Sequence, residues 1–175
     1  MNLESSNYQE YDSDEYNNHL TEFDYYNNEM IGIISVYYII SKVKRISASK
    51  AMLIIPITTH NALISYLNDS RTIVKGIEQL IIKKPEFFSN FNQRFLSSIE
   101  LSVNSILILI KLNLIYIGDD GNLNINVQNK IHLVDEKKLS LLGVRANNII
   151  NASLSVAELL TEETQNLYLQ MRVKL

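Results

Sequence analysis

Three histidines, one pair of adjacent aspartates and a scatter of serines are the residues in this 175-residue chain whose types could do chemistry. Their spacing does not let them do it. His19, His60 and His132 lie far apart, and none has the partner four residues away that puts two imidazoles on one helix face for zinc. There is no cysteine, which removes thiolate nucleophiles, thiolate metal ligands and disulfides. The five glycines fall in no phosphate-cradling or dinucleotide-binding spacing. Serine is abundant, but no Gly-x-Ser-x-Gly elbow occurs. Asp119 and Asp120 could hold a cation, although in Gly-Asp-Asp-Gly they read more simply as turn chemistry. No catalytic residue, metal ligand or cofactor site is expected. The chain is expected to act by binding, not as an enzyme.

The aspartates lead to the elements around them. LNLIYIGDDGNLNINV, residues 112–127, is an apolar run, a strong Asp-Gly turn signal and a second, alternating run. The alternation puts Leu123, Ile125 and Val127 on one face and Asn124 and Asn126 on the other. Directly upstream, VNSILILIKL (103–112) is apolar throughout and is expected to be a helix buried on all sides, in a core or an interface. Helix followed by hairpin is how a winged helix ends.

Upstream, residues 29–44 form a helical pattern closed by Lys42, Lys44 and Arg45, as the helix dipole prefers. Ser47 is placed to cap the next helix, Ala48–Ile55, and Pro56 should kink or restart it before Ile57–Leu67. Asn68-Asp69-Ser70 is a break. Residues 71–83 then read as a helix with Ile73, Ile77, Leu80 and Ile81 inward. Lys84-Pro85-Glu86 starts another, with Phe87, Phe88, Phe91, Phe95, Ile99 and Leu101 on its apolar side and a break near Ser98 or Ser102. Leu139–Leu160 follows the helical period, and Thr161-Glu-Glu-Thr is expected to cap a short last element. The expected fold is mainly α with a small β-hairpin: a winged-helix-like core over 27–130, with C-terminal helices over 131–175.

Charge is distributed unevenly. Residues 1–29 hold eight acids and no lysine or arginine, whereas residues 30–175 hold 16 basic and 11 acidic side chains, a net of +5. The first 26 residues also carry Tyr11, Tyr16, Phe23, Tyr25 and Tyr26 among acids and asparagines. Such a segment is either an unfolded tail or an arm that orders on a basic partner, with its aromatics as anchors. No apolar stretch reaches the ~18 residues that span a bilayer. With no secretory pattern and no cysteine, a cytoplasmic protein without a membrane anchor is expected. Heavy use of isoleucine, asparagine and lysine suggests an AT-rich bacterial genome.

A winged helix that reads DNA needs arginine and lysine on its recognition helix and on its wing. Residues 103–112 carry one charge, Lys111, and the wing tip carries Asp119 and Asp120, which phosphate would repel. The basic residues available for nucleic acid are Lys42, Lys44, Arg45, Lys83 and Lys84. The surface chemistry therefore favours a protein partner, with DNA contact only inside a larger complex.

Four stretches, taken in order, carry a resemblance: AMLIIPITTHNAL, RTIVKGIEQLIIKKPEFFSNFNQRF, SVNSILILIKLNLIYIGDDGNLNI and RANNIINASLSVAELLTEETQNLYLQMRVKL. Within them stand Ile54, Ile55, Pro56 and His60, the Phe91-x-x-Arg94 step, the helix that runs into an Asp-Gly hairpin, and a closing helix. Over 29–175 the chain resembles the middle component of three-component ABC-ATPase systems, bacterial defence operons of the Lamassu type. It departs from that pattern in the stretch after Ala157 and in its long acidic arm. The resemblance implies a non-enzymatic adaptor between an SMC-like ABC ATPase and an effector, often a nuclease, with Phe91 and Arg94 among its contact residues. Two other readings stay open. A winged-helix DNA-binding regulator would bind duplex in a strongly salt-dependent way. An antitoxin-like inhibitor would lay its acidic arm on a basic toxin.

Overall fold

The computed structural model describes residues 29–129 and 142–174. The arm, with Tyr11, Tyr16, Phe23, Tyr25 and Tyr26, lies outside them, as do His19, His132 and the first residues of the helix expected from Leu139. Helix α1 covers residues 29–43 and ends where Lys44 turns left-handed, at φ 68°. Strand β1 (Arg45–Ile46) follows at once, then α2 (Ala48–Ala51), α3 (Ile54–Thr58), α4 (Asn61–Asn68) and α5 (Ile77–Lys83). A 3-10 turn (Pro85–Phe87) leads into α6 (Phe91–Ser97) and α7 (Ile99–Lys111). The hairpin is β2 (Ile115–Ile117) and β3 (Leu123–Ile125), and α8 (Gly143–Leu159) and α9 (Thr164–Gln170) close the chain.

The hairpin is part of a three-stranded antiparallel sheet in the order β1-β3-β2, with Ile46 opposite Leu123 and Tyr116 opposite Asn124. Strand β1 was not legible in the sequence because two residues carry no alternation. It forms because the left-handed Lys44 frees its carbonyl to accept from the Ile125 amide at 3.0 Å. Gly118 to Asn122 make the turn. The Gly121 amide donates to the Gly118 carbonyl, and Gly121 takes a φ of 75° that glycine adopts without a Cβ penalty. Leu123 and Ile125 are buried as the alternation requires. Val127 is exposed, because the strand ends at Ile125 and the period ends with it.

Ser47 does cap α2, its hydroxyl accepting from the Lys50 amide. The interruption expected at Pro56 falls earlier, at Met52 and Leu53. Pro56 then sits in the first turn of α3, where a missing N–H costs little. Residues 71–83 depart most from the helix expected of them. Only Ile77–Lys83 is helical, and Ile73 is 75% exposed. Asp69 competes with the helix for this segment. Its carboxylate accepts from the Arg71 amide at 3.0 Å and pairs with the Arg71 guanidinium at 2.7 Å, while its carbonyl accepts from Thr72. Those Arg71 hydrogen bonds hold the Asp69 carboxyl down at about 2. Helix α5 begins only at Ile77, whose amide donates to Glu162 across the fold at 3.0 Å. Thr161 caps nothing downstream; its hydroxyl donates back to the Glu158 carbonyl and closes α8.

The buried side chains form one cluster that includes Ile39 and Ile40 of α1, Leu53, Ile54, Ile55 and Ile57 around α3, Phe91 and Phe95 of α6, and Ile149 and Val156 of α8. Helix α8 lies along α4, with the Ser155 hydroxyl donating to the Leu67 carbonyl. Helices α1 and α7 approach closely because Gly32 has no side chain there. A Cβ on Gly32 would strike the Ser105 hydroxyl and come within 3.1 Å of Leu101 Cδ1 and 3.2 Å of Ile55 Cδ1. Gly32→Val is expected to destabilise the protein by ~1–3 kcal/mol through overpacking, read as a lowered midpoint in urea. An unchanged midpoint would mean that the two helices separate freely.

No single helix among the described residues is long and apolar enough to cross a membrane. One pair of consecutive helices, Pro85–Ser97 and Ile99–Lys111, is long and apolar enough when taken together, but it is bent by 64° at the break between them.

Candidate protein interface

The residues singled out in the sequence have different fates. Phe91 is wholly buried, with its ring 5.9 Å from that of Phe88. It is a core residue, and any effect it has on assembly runs through the fold. Arg94, one turn on, is a clamp. Its Nε donates to the Pro56 carbonyl at 3.3 Å and one terminal nitrogen donates to the Phe87 carbonyl at 2.7 Å. The other terminal nitrogen donates to the Asn90 side chain, and the guanidinium lies 5.4 Å from the Phe91 ring centre. In an unbroken helix the Pro56 carbonyl would accept from the His60 amide. Here His60 donates to Ile57 instead, and Arg94 takes the carbonyl left over. The Phe-x-x-Arg step therefore ties α6 to the end of α3.

His60 is the N-cap of α4: its Nδ1 accepts from the Leu63 amide at 3.0 Å. Burial lowers its pKa below the ordinary 6.5, and the Arg94 charge lowers it further. The cap needs a neutral ring. Above the unfolded-state value the cap contributes fully. As pH falls below that value the unfolded chain takes up a proton that the folded His60 refuses, so stability declines. His60→Asn keeps a capping oxygen without the titration. It is expected to flatten the loss of thermal stability between pH 7 and pH 5. Parallel curves for the two proteins would rule the titration out.

The basic candidates split into two groups with different neighbours. Lys42, Lys44 and Arg45 are exposed where α1 passes into β1, and Arg45 pairs with Asp120 of the hairpin turn. Lys83 is exposed at the end of α5. Lys84 is half-buried, 3.4 Å from Glu86 and near the rings of Tyr66 and Phe87. Asp120 is fully engaged, since its carboxylate also accepts from the Asn122 backbone and side chain. It serves the turn, and no metal-binding cluster is present among the described residues.

Helix α7, expected from its residues to be buried on all sides, is open along one side. Only Ser102, Ser105 and Leu109 of that helix are buried. The two serines are small enough to let a neighbouring helix lie against them, and the opposite side is open. Ile99 is 37% exposed, Val103 41% and Leu107 52%. Spaced by four, they make one stripe along the helix. Leu96 continues it at the end of α6, and Leu112, Tyr116 and Ile117 are exposed at the end of α7 and on the edge strand β2. A helix apolar all round is ordinarily buried. Here the fold covers one side, and the stripe, the helix end and the strand remain exposed.

Residues 33–175 match the family model for the ABC-three component (ABC-3C) system Middle Component 3. Neither the curated proteins nor the solved structures give a match. The matched span contains the Arg94 clamp, α7, the hairpin and both closing helices. The chain belongs to the Middle Component 3 family of ABC-three component systems.

Proposed function

We propose that the protein is a non-enzymatic adaptor, and that the exposed apolar side of α7 with the adjoining edge of the hairpin is where it meets a partner. The observation that carries this is the stripe Ile99, Val103 and Leu107. Helix α7 runs into the hairpin, the place of a recognition helix in a winged-helix-like arrangement. A DNA reader needs cations on that helix. This chain has exposed aliphatic residues there, and Asp119 and Asp120 at the hairpin tip. Aliphatic surface of this kind suits a protein groove.

On this reading the partners are an SMC-like ABC ATPase and an effector, often a nuclease, in a cytoplasmic anti-phage defence complex of the Lamassu type. The adaptor passes the state of the ATPase to the effector and makes or breaks no bond itself. Its contact with DNA, through Lys42, Lys44, Arg45, Lys83 and Lys84, would occur within the complex. The arm, with Tyr11, Tyr16, Phe23, Tyr25 and Tyr26, would add a second contact with a basic partner.

The test is co-expression of the tagged chain with the products of its two neighbouring genes, then size-exclusion chromatography with mass determination. Co-elution with a large ATPase is the expected result. A chain that elutes alone and binds duplex DNA at low salt, releasing it as salt rises, would instead be a DNA-binding regulator.

A further inference from the structure

A cavity of about 420 Å³ with basic residues in its lining lies between β1, the start of α2, the hairpin turn and the end of α8. Its size is that of a site for a small ligand or a side-chain cluster, roughly 300–1,000 Å³. Val43, Ile46 and Leu160 give it an apolar lining, with Ile46 and Leu160 buried. Arg45, Lys50 and Asn122 line it with charge and hydrogen-bonding groups. Residues 42–50 contribute four cations and no acid: Lys42, Lys44, Arg45 and Lys50. Asp120 pairs with Arg45 and offsets one of them. An apolar floor with cations at its edge fits an aromatic side chain flanked by carboxylates.

The chain itself carries such a sequence. Residues 8–16, YQEYDSDEY, hold Tyr8, Tyr11 and Tyr16 together with four acids and no base. Geometry selects this part of the arm over the rest. The cavity lies at the far end of α1 from Glu29. Fifteen residues of helix put those ends ~21 Å apart, and an extended chain needs about seven residues, at ~3.3 Å each, to run back that far. Phe23, Tyr25 and Tyr26 lie within six residues of Glu29 and fall short or barely reach. Tyr16 is 13 residues before Glu29, and Tyr11 is 18. Both span the distance with slack.

We infer that residues 8–16 dock in this cavity of their own chain, a tyrosine on Val43, Ile46 and Leu160 and its neighbouring carboxylates at Arg45 and Lys50. Docked there, the arm covers the basic surface at the α1–β1 corner. The inference does not rest on the adaptor reading, because it concerns the full chain by itself.

The absence of native cysteine makes the test direct. Tyr11→Cys is combined with Ser49→Cys, an exposed position whose side chain lies 3.3 Å from that of Ser47 at the cavity. The control pair is Tyr11→Cys with Ile73→Cys, on the exposed segment before α5. Disulfide formation in the purified full chain is followed by mass and by non-reducing gel. Docking predicts an intramolecular bond forming roughly tenfold faster to position 49 than to position 73, by the gain in effective concentration. High salt, or Lys50→Glu, should return the rate to that of the control. Equal rates for the two pairs would overturn the inference. So would a disulfide-linked dimer, which would place the arm on a second copy. A spin label on Tyr11→Cys alone gives an independent reading. It should broaden the backbone signals of Ser47 and Lys50 and leave those of Ile73 sharp, and uniform broadening would likewise overturn the inference.

Discussion

Phe91→Ala is expected to lower the stability of the protein by ~3–5 kcal/mol, the ordinary cost of deleting a buried aromatic ring without collapse of the space it leaves. The ring is fully enclosed, and it supports two other features. Phe88 packs on it, and the Arg94 guanidinium lies on its face. Arg94→Ala should act through the same joint at a lower cost. It leaves the carbonyls of Pro56 and Phe87 without their donor, and each such loss costs ~1–3 kcal/mol when the group is buried. Lysine should not rescue it, because one ammonium cannot replace a guanidinium fork that serves two carbonyls at once. The two sites touch, so the double variant should lose less than the sum of the singles. Urea midpoints for the four proteins measure this, and additive losses would mean that the ring and the guanidinium act separately. Both substitutions should reduce recovery of any assembled complex in proportion to the loss of folded chain.

The second large effect is expected where stability does not change. Val103 and Leu107 point away from the core, and together with Ile99 they form the open stripe of α7. Val103→Glu with Leu107→Glu should change the unfolding free energy by no more than ~0.5 kcal/mol, as substitutions on an exposed face do. If the stripe is the partner contact, two carboxylates in its centre should cost at least ~2 kcal/mol of binding, about thirtyfold in affinity. Co-elution with the neighbouring gene products should then be lost while the chain stays folded. Retention of the complex would move the interface elsewhere, and the edge strand around Tyr116 and Ile117 would be the next surface to change. The Phe91 variant should lose its partners because it unfolds, the α7 variant while it remains folded.

Some of this was legible in the residues because the signals were local. Ser47 caps α2 since a hydroxyl three residues ahead of an amide needs no tertiary help. The Asp-Gly turn, the burial of Leu123 and Ile125, the break at Ser98 and the mainly helical class follow from turn chemistry and period in the same way. The absence of paired histidines and of cysteine is likewise a property of the chain alone. Pattern did not suffice where a distant residue competes. Residues 71–76 have helical spacing, yet Asp69 captures their first turn and Glu162, remote in sequence, caps the helix at Ile77. Strand β1 exists only because β3 lies beside it. Phe91 and Arg94 were noticed as a motif, but only packing distinguishes a core ring and a structural clamp from surface contacts.

The chain by itself determined that the fold would be helical with one hairpin, that its acidic and basic residues would be segregated, and that its helix before the hairpin would be apolar almost throughout. Hydrophobic period, turn residues and charge are fixed by residue type and neighbours, so no fold is needed to know them. The tertiary structure decided which side of that apolar helix is covered. Gly32, Ser102 and Ser105 are small, α1 closes on α7 at Gly32 and Ser105, and one side of the helix is used up. Ile99, Val103 and Leu107 are left on the other. An apolar residue has the same affinity for a core as for a partner, and only the position of the neighbouring helices separates the two.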